Sequence, residues 1–191
     1  MFTGIIEEIG ELVSIEKEQS NIHFTVKAVM SSELKVDQSL AHNGCCLTVV
    51  SKDDNQYTVT AIQETLDKTN LKDWKVGSQL NLERCMKADG RFDGHIVQGH
   101  VDCIAECVRV EDLNGSWKFS FIYEAAHRTV EKGSVTINGT SLTVVDSAEN
   151  SFSVCIIPYT YKHTNFHEFR AGSTVNIEFD IFGKYIQRYL N

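Results

Sequence analysis

The sequence predicts an all-β protein made of two similar small closed barrels in tandem, with a short α-helix after the second. Three observations lead there. The first is a duplication: Asn43-Gly44-Cys45-Cys46-Leu47-Thr48-Val49-Val50 returns as Asn138-Gly139-Thr140-Ser141-Leu142-Thr143-Val144-Val145, an offset of 138 − 43 = 95 residues. The same offset carries Gly4 onto Gly99, Thr69-Asn70 onto Thr164-Asn165, Gly77-Ser78 onto Gly172-Ser173, and Asn81 and Glu83 onto Asn176 and Glu178. Between 43–83 and 138–178, 16 of 41 positions are identical without a gap, so a whole domain has been copied and not a single motif. The second is that the segments between turn signals are short and rich in Val, Ile, Thr, Phe and Tyr. The third is their density: many strands within about 90 residues favour a closed barrel, which leaves no exposed edges.

Each element follows from local pattern. His23-Phe24-Thr25-Val26, Leu47-Thr48-Val49-Val50, Tyr57-Thr58-Val59-Thr60 and Val175-Asn176-Ile177-Glu178-Phe179 alternate as half-buried strands do. Turn residues separate such segments at Asp53-Asp54-Asn55, Val76-Gly77, Asn114-Gly115 and Glu149-Asn150. Glu64 to Asn70 and its counterpart Tyr159 to Asn165 are less β-like and read as short helices or ordered loops. Lys87 to Gly94 is the natural linker, giving domains at 1–90 and 91–182. The remainder, 183–191, has no counterpart in the first copy, and Tyr185, Ile186, Tyr189 and Leu190 fall on one helical face. A two-turn helix is unstable alone in water, so that face must pack on its own barrel or on another subunit.

Composition narrows the function. A net charge of −8, from 18 basic and 26 acidic residues, with no Lys/Arg cluster, argues against a nucleic-acid partner. Apolar runs are only strand-length and the N-terminus reaches Glu7-Glu8 without a basic and then apolar segment, so neither a membrane span nor a signal peptide is expected, and the location read is cytoplasmic. The six cysteines have no zinc-ligand spacing, so no metal is expected and most should be buried thiols.

Chemistry should lie where the copies differ. Alternation puts Cys46, Thr48 and Val50 on one face of their strand and Cys45, Leu47 and Val49 on the other; Ser141 and Thr143 align with the first set. Such a face of hydroxyl and thiol groups suits a neutral heterocycle with carbonyl and N–H edges. Threonine is also an ordinary strand residue and a free cysteine an ordinary small hydrophobe, so the face alone leaves both readings open. His100 is the sharper signal, because its counterpart is Ile5: a position that is apolar in one copy and a histidine in the other is not set by the fold alone. Histidine titrates in the range useful for proton transfer. His95 is a weaker candidate, on the opposite strand face from His100.

Met1-Phe2-Thr3-Gly4-Ile5-Ile6-Glu7, the duplicated Asn-Gly-x-x-Leu-Thr-Val, Gly94-His95-Ile96-Val97-Gln98-Gly99-His100-Val101-Asp102, and Asn176-Ile177-Glu178-Phe179-Asp180 with Gly183-Lys184-Tyr185 together resemble riboflavin synthase of the alpha-chain type. The resemblance covers essentially the whole chain. It implies two six-stranded Greek-key β-barrels, a C-terminal helix that joins chains into a homotrimer, and dismutation of two molecules of 6,7-dimethyl-8-ribityllumazine to riboflavin and 5-amino-6-(D-ribitylamino)uracil without a metal or organic cofactor. The alternative it leaves is a non-catalytic lumazine- or flavin-binding protein of the same fold. Those relatives tend to lose the reactive residues, whereas Ser39, Cys46 and His100 are all present here.

Carried over by motif, the N-terminal barrel would bind substrate with Gly4, Ile5, Ile6, Cys46, Leu47, Thr48, Thr60, Ala61, Ile62, Gln63, Glu64 and Thr65. The C-terminal barrel would use Gly99, His100, Val101, Lys132, Ser141, Leu142, Thr143, Ile156, Ile157, Pro158, Tyr159, Thr160 and Tyr161, with Asp180 as an addition. His100, Cys46 and Ser39 would lie near the reacting atoms. Asp93 stands where the family more often has glycine.

Overall fold

The computed structural model describes residues 1–190. Twelve strands form two closed antiparallel barrels. The first takes β1 (Glu8–Glu18), β2 (Asn21–Lys27), β3 (Ser39–His42), β4 (Cys45–Lys52), β5 (Gln56–Ala61) and β6 (Gln79–Arg84), closing in the order β1-β2-β5-β4-β3-β6. The second repeats this with β7 (Cys103–Asp112), β8 (Trp117–Tyr123), β9 (Ser134–Ile137), β10 (Thr140–Val145), β11 (Ser151–Ile156) and β12 (Ser173–Phe179), in the order β7-β8-β11-β10-β9-β12. The less β-like segments are the short helices α1 (Gln63–Lys68) and α2 (Pro158–His163), each followed by a 3-10 turn.

Alternation fills each barrel. Tyr57, Val59 and Ala61 of β5 point inward with Phe24, Val26, Leu80 and Leu82; Phe119 and Phe121 of β8 meet Phe152, Val154, Val175 and Ile177. On β4, Cys45, Leu47 and Val49 are buried in the core while Cys46, Thr48 and Val50 face outward. Buried polar groups are paired as burial demands: the His42 ring nitrogen Nε2 lies 2.8 Å from the Tyr57 hydroxyl, and burial lowers the His42 pKa to about 4.

The barrels meet across a pseudo-twofold axis. The Asn-Gly turns between β3 and β4 and between β9 and β10 face each other so closely that a Cβ on Gly44 would lie 2.7 Å from the backbone N of Gly139, and one on Gly139 2.8 Å from that of Gly44. Around them, asparagines bond reciprocally across the interface. The Asn81 side-chain amide donates to the Asn138 carbonyl (2.9 Å) and that of Asn176 to the Asn43 carbonyl (2.9 Å). The Asn165 amide N–H donates to Asn81 Oδ1 and the Asn70 amide N–H to Asn176 Oδ1, both at 2.8 Å. The repeated asparagines thus weld the two copies, satisfying backbone groups that would otherwise be buried without partners.

The C-terminal helix α3 (Ile181–Leu190) begins two residues before the expected start at 183, because the Asp180 carboxylate accepts the Phe182 amide N–H (3.0 Å) and caps it. Asn191, within the expected helix, lies outside the described residues. Among the described residues no helix is long and apolar enough to cross a membrane.

Candidate active site

Two short segments lie outside both barrel walls: residues 2–6, before β1, and 97–101, before β7. They run side by side at the pseudo-twofold axis, where Phe2 and Val97 exchange backbone hydrogen bonds (2.7 and 3.1 Å). Each is held from behind by the last strand of its own barrel. Glu83 of β6 accepts the Thr3 and Gly4 amides and the Thr3 hydroxyl, at 2.7 to 3.2 Å. Glu178 of β12 accepts the amides of Gln98 (2.7 Å), Gly99 and His100 (both 2.9 Å). Burial pushes both carboxyls up, Glu178 to about 7, against the pull of these N–H groups.

Each segment then completes the other barrel. Cys46 of β4 donates its amide to the Gly99 carbonyl (2.9 Å), and Ser141 of β10 donates its amide to the Gly4 carbonyl (2.8 Å). The approach tolerates no side chain. Gly99, at φ +79°, would bring a Cβ within 2.6 Å of Cys46 Cβ, and Gly4, also at +79°, within 2.6 Å of Ser141 Cβ. The sequence groups Gly4–Ile6 with Cys46 and Gly99–Val101 with Ser141; in the fold Gly99 lies against Cys46 and Gly4 against Ser141. The physical reason is that both segments leave their own walls and cross the axis before their first strands begin.

The cleft on the N-terminal barrel, about 200 Å³, is lined by Cys45, Cys46, Glu64, Thr65, Lys68, Thr69, Gly99, His100 and Val101. Burial raises the Cys46 thiol, while a hydrogen bond with Ser39 lowers it; the net shift is upward, so at neutral pH the group is a thiol and not a thiolate. Ser39 sits opposite Thr48 on β3, next to Cys85, whose thiol donates to its carbonyl at 3.5 Å. The pseudo-equivalent place on the C-terminal barrel has Ser141 for Cys46, Ile5 for His100 and Asp180 for Cys85. There the Ser141 hydroxyl is 2.6 Å from His95 Nδ1, and Thr136 holds the other ring nitrogen at 3.2 Å. Burial lowers the His95 pKa, with Asp180 opposing, which favours the neutral ring.

Other predicted residues are placed less centrally. Leu47, Ala61 and Ile156 turn their side chains into the barrel cores and offer only backbone. Thr60 bonds His23 (2.8 Å) and Tyr161 stacks on Trp117 with centroids 3.9 Å apart. Thr48, Ile62, Gln63, Thr143, Ile157, Pro158 and Tyr159 are exposed, Thr160 and Leu142 half-buried, at the strand ends and the starts of α1 and α2. Lys132 is exposed on the turn before β9 at φ +65°. Asp93 is exposed beside Arg91. Glu83 and Glu178 are not among the residues the sequence singles out for the site, although both repeat at the same offset.

The chain matches the lumazine binding domain family twice, over residues 3–85 and 98–180. It is 44% identical to riboflavin synthase from Actinobacillus pleuropneumoniae over 193 residues, covering 100% of this chain and 90% of that one. It is 41% identical to riboflavin synthase from Bacillus subtilis (strain 168) over 194 residues, with the same coverage. The chain belongs to the riboflavin synthase family. Its activity is that of a riboflavin synthase, an enzyme of riboflavin biosynthesis. In fold it is also similar to LumP, crystallised with 6,7-dimethyl-8-(1'-D-ribityl) lumazine, at a TM-score of 0.86, 19% identity and coverage of 94% of this chain and 99% of that one. For a riboflavin synthase the telling feature is that its two lumazine binding repeats are completed crosswise and unequally, with Cys46 and His100 at one place and Ser141, Ile5 and a His95 ring bonded to Ser141 at the other.

Proposed function

We propose that each crossed cleft holds one 6,7-dimethyl-8-ribityllumazine and that the Cys46–His100 cleft carries the proton transfers of the dismutation. The observation behind this is the His100/Ile5 asymmetry on two segments with the same backbone turn, Gly4 and Gly99 both at φ +79° and each segment held by a glutamate of its last strand. A substrate ring in either cleft meets backbone N–H and C=O groups at strand ends, which pair with its carbonyl and N–H edges. At the first cleft His100 moves the proton of the C7 methyl, and the neutral Cys46 thiol with Ser39 stands where a nucleophile adding at C7 of the other ring is activated. At the second, Ser141 held by the neutral His95 orients the other ring. Loss of the methyl proton leaves a carbanion that attacks the partner ring; two C–C bonds form between the rings, the C–N bonds that hold the donor's four-carbon unit break, and the added nucleophile leaves. The protons shed by the methyl carbons return to the freed nitrogens, giving riboflavin and 5-amino-6-(D-ribitylamino)uracil with no outside oxidant. Much of the rate comes from holding two rings stacked in opposite orientation.

The two rings belong to clefts on different chains, brought together in a homotrimer through α3. That helix lies on its own barrel by a polar stripe: Lys184 pairs with Asp102, and Gln187 bonds His127 (2.8 Å) and the Ala126 carbonyl (2.9 Å). Phe182, Tyr185, Ile186, Tyr189 and Leu190 are left facing solvent, each at least 60% exposed. An amphipathic helix turned this way supports cover by another copy. In this reading 1–90 and 91–182 are the binding units and 183–191 the assembly segment. Six free thiols fit a reducing, cytoplasmic setting.

The test is riboflavin formation from the purified lumazine by His100→Ala and Cys46→Ser. Both should lose turnover while still binding ligand; wild-type turnover by folded His100→Ala would remove His100 from the chemistry.

A further inference from the structure

The segment bearing His100 is fixed to β12 at two points, residues 98–100 and Asp102. Glu178 holds residues 98–100. Asp102 holds the other end: its amide N–H donates to the Ile177 carbonyl (2.8 Å) and its carboxylate accepts the Phe179 amide N–H (2.8 Å). The first copy has the same second fastening at the equivalent residues. Glu7 donates its amide to the Leu82 carbonyl (2.9 Å) and accepts the Arg84 amide (2.7 Å).

The copies part company over the cation that neutralises this acid. In the first, Arg84 itself reaches back to Glu7 (2.6 and 2.9 Å), so strand β6 supplies the charge. In the second, the equivalent of Arg84 is Phe179, buried in the core and uncharged. The cation comes instead from Lys184 of α3, whose ammonium lies 2.9 Å from both Asp102 oxygens, with side chains only 15% and 17% exposed. The duplicated device has been rewired so that the helix, which has no counterpart in the first copy, finishes it.

We infer that Lys184 is a positioning residue: through Asp102 and β12 it fixes the segment that sets His100 beside Cys46, so that seating α3 and shaping the cleft are one event. The chain of contact is continuous, from Lys184 to Asp102, to the backbone on either side of Glu178, to the amides of residues 98–100, and across Gly99 to Cys46. The inference rests on the placement of His100 in the site proposed above, and His100→Ala measured in parallel separates the two: normal turnover there would sink that placement, whatever Lys184 does.

The experiment compares Lys184→Met, Lys184→Arg, Asp102→Asn and the Asp102→Asn/Lys184→Met double variant in the full chain, measuring kcat and KM with 6,7-dimethyl-8-ribityllumazine, sedimentation and urea midpoints. Lys184→Met should lower kcat on the order of tenfold to a hundredfold, the scale expected of a reacting group misplaced by about an ångström. Lys184→Arg should restore most of it. The double variant, which leaves no unpaired buried charge and keeps the test open if the single variant fails to fold, should be no worse than the poorer single. Kinetics are compared at chain concentrations where sedimentation shows each variant assembled as the parent is, so that a fall in kcat is not a loss of assembly. Parental kcat in folded Lys184→Met or in the double variant, equal loss in Lys184→Arg and Lys184→Met, or losses that multiply in the double variant would each overturn the inference.

Discussion

Gly99→Ala should damage both stability and activity, in an amount that neighbouring structure fixes. At φ +79° an L side chain costs roughly 1–2 kcal/mol. The added Cβ would lie 2.6 Å from Cys46 Cβ and 3.0 Å from Cys46 N, and carbon atoms need about 3.5 Å, so the segment must retreat by about an ångström. Retreat breaks the hydrogen bond from the Cys46 amide to the Gly99 carbonyl, and leaving that donor unpaired costs about 1–3 kcal/mol more. Gly77 and Gly172 are matched controls: φ is +92° and +88°, with nothing within 4 Å of a built Cβ. Their alanine variants should lose about 1–2 kcal/mol and keep turnover, whereas Gly99→Ala should lose about 2–5 kcal/mol and on the order of a hundredfold in turnover. Urea melts and riboflavin formation on the three variants decide it. Equal destabilisation of all three with parental turnover in Gly99→Ala would refute the close-approach argument.

Cys46→Ser should cut turnover more than Cys45→Ser, because Cys45 points into the core; urea melts should instead show the larger stability loss for Cys45→Ser, and the reverse pattern would contradict the face assignment. Glu178 gives a pH dependence. Its carboxyl titrates near 4.5 when unfolded and at about 7 when folded, so between those values the folded chain binds more protons and stability falls as pH rises, by roughly 3 kcal/mol for this group. Glu178→Gln should flatten that decline without abolishing it, since Glu83 is shifted the same way; unchanged slopes in urea melts from pH 4 to 8 would reject the account. Removing residues 184–191 should make activity per chain fall on dilution, with a matching loss of assembly by sedimentation. A fully active monomer would rule out an intersubunit site.

Much of this architecture was legible in the residues. The constant offset and period-two alternation suffice for two barrels, because a repeat keeps its core positions and a strand has only two faces. Cys46 and His100 stood out through the same comparison, as departures from symmetry. The crossing of segments 2–6 and 97–101 was not legible: strand patterns describe what a residue's own sheet does, and these segments precede their sheets and bond to the other copy. Glu83 and Glu178 repeat like the interface asparagines, and repetition alone does not separate a residue that welds the copies from one that aims a histidine. Helix α3 starts ahead of 183 because the loss of repeat marks where a counterpart ends and not where a helix begins, and the Asp180 carboxylate caps it at Ile181. Lys184 lay within the motif that carried the family resemblance, yet its partner Asp102 is 82 residues away and only the fold joins them.

The crossed completion of the two clefts is the claim on which the account rests, and a crystal structure of the chain with 6,7-dimethyl-8-ribityllumazine bound tests it most directly. One ring should touch Cys46, Thr65 and Gly99–His100 together, and a second should touch Ser141 together with Gly4–Ile5. A single ring held between Cys46 and Gly4, or between Ser141 and His100, would contradict it.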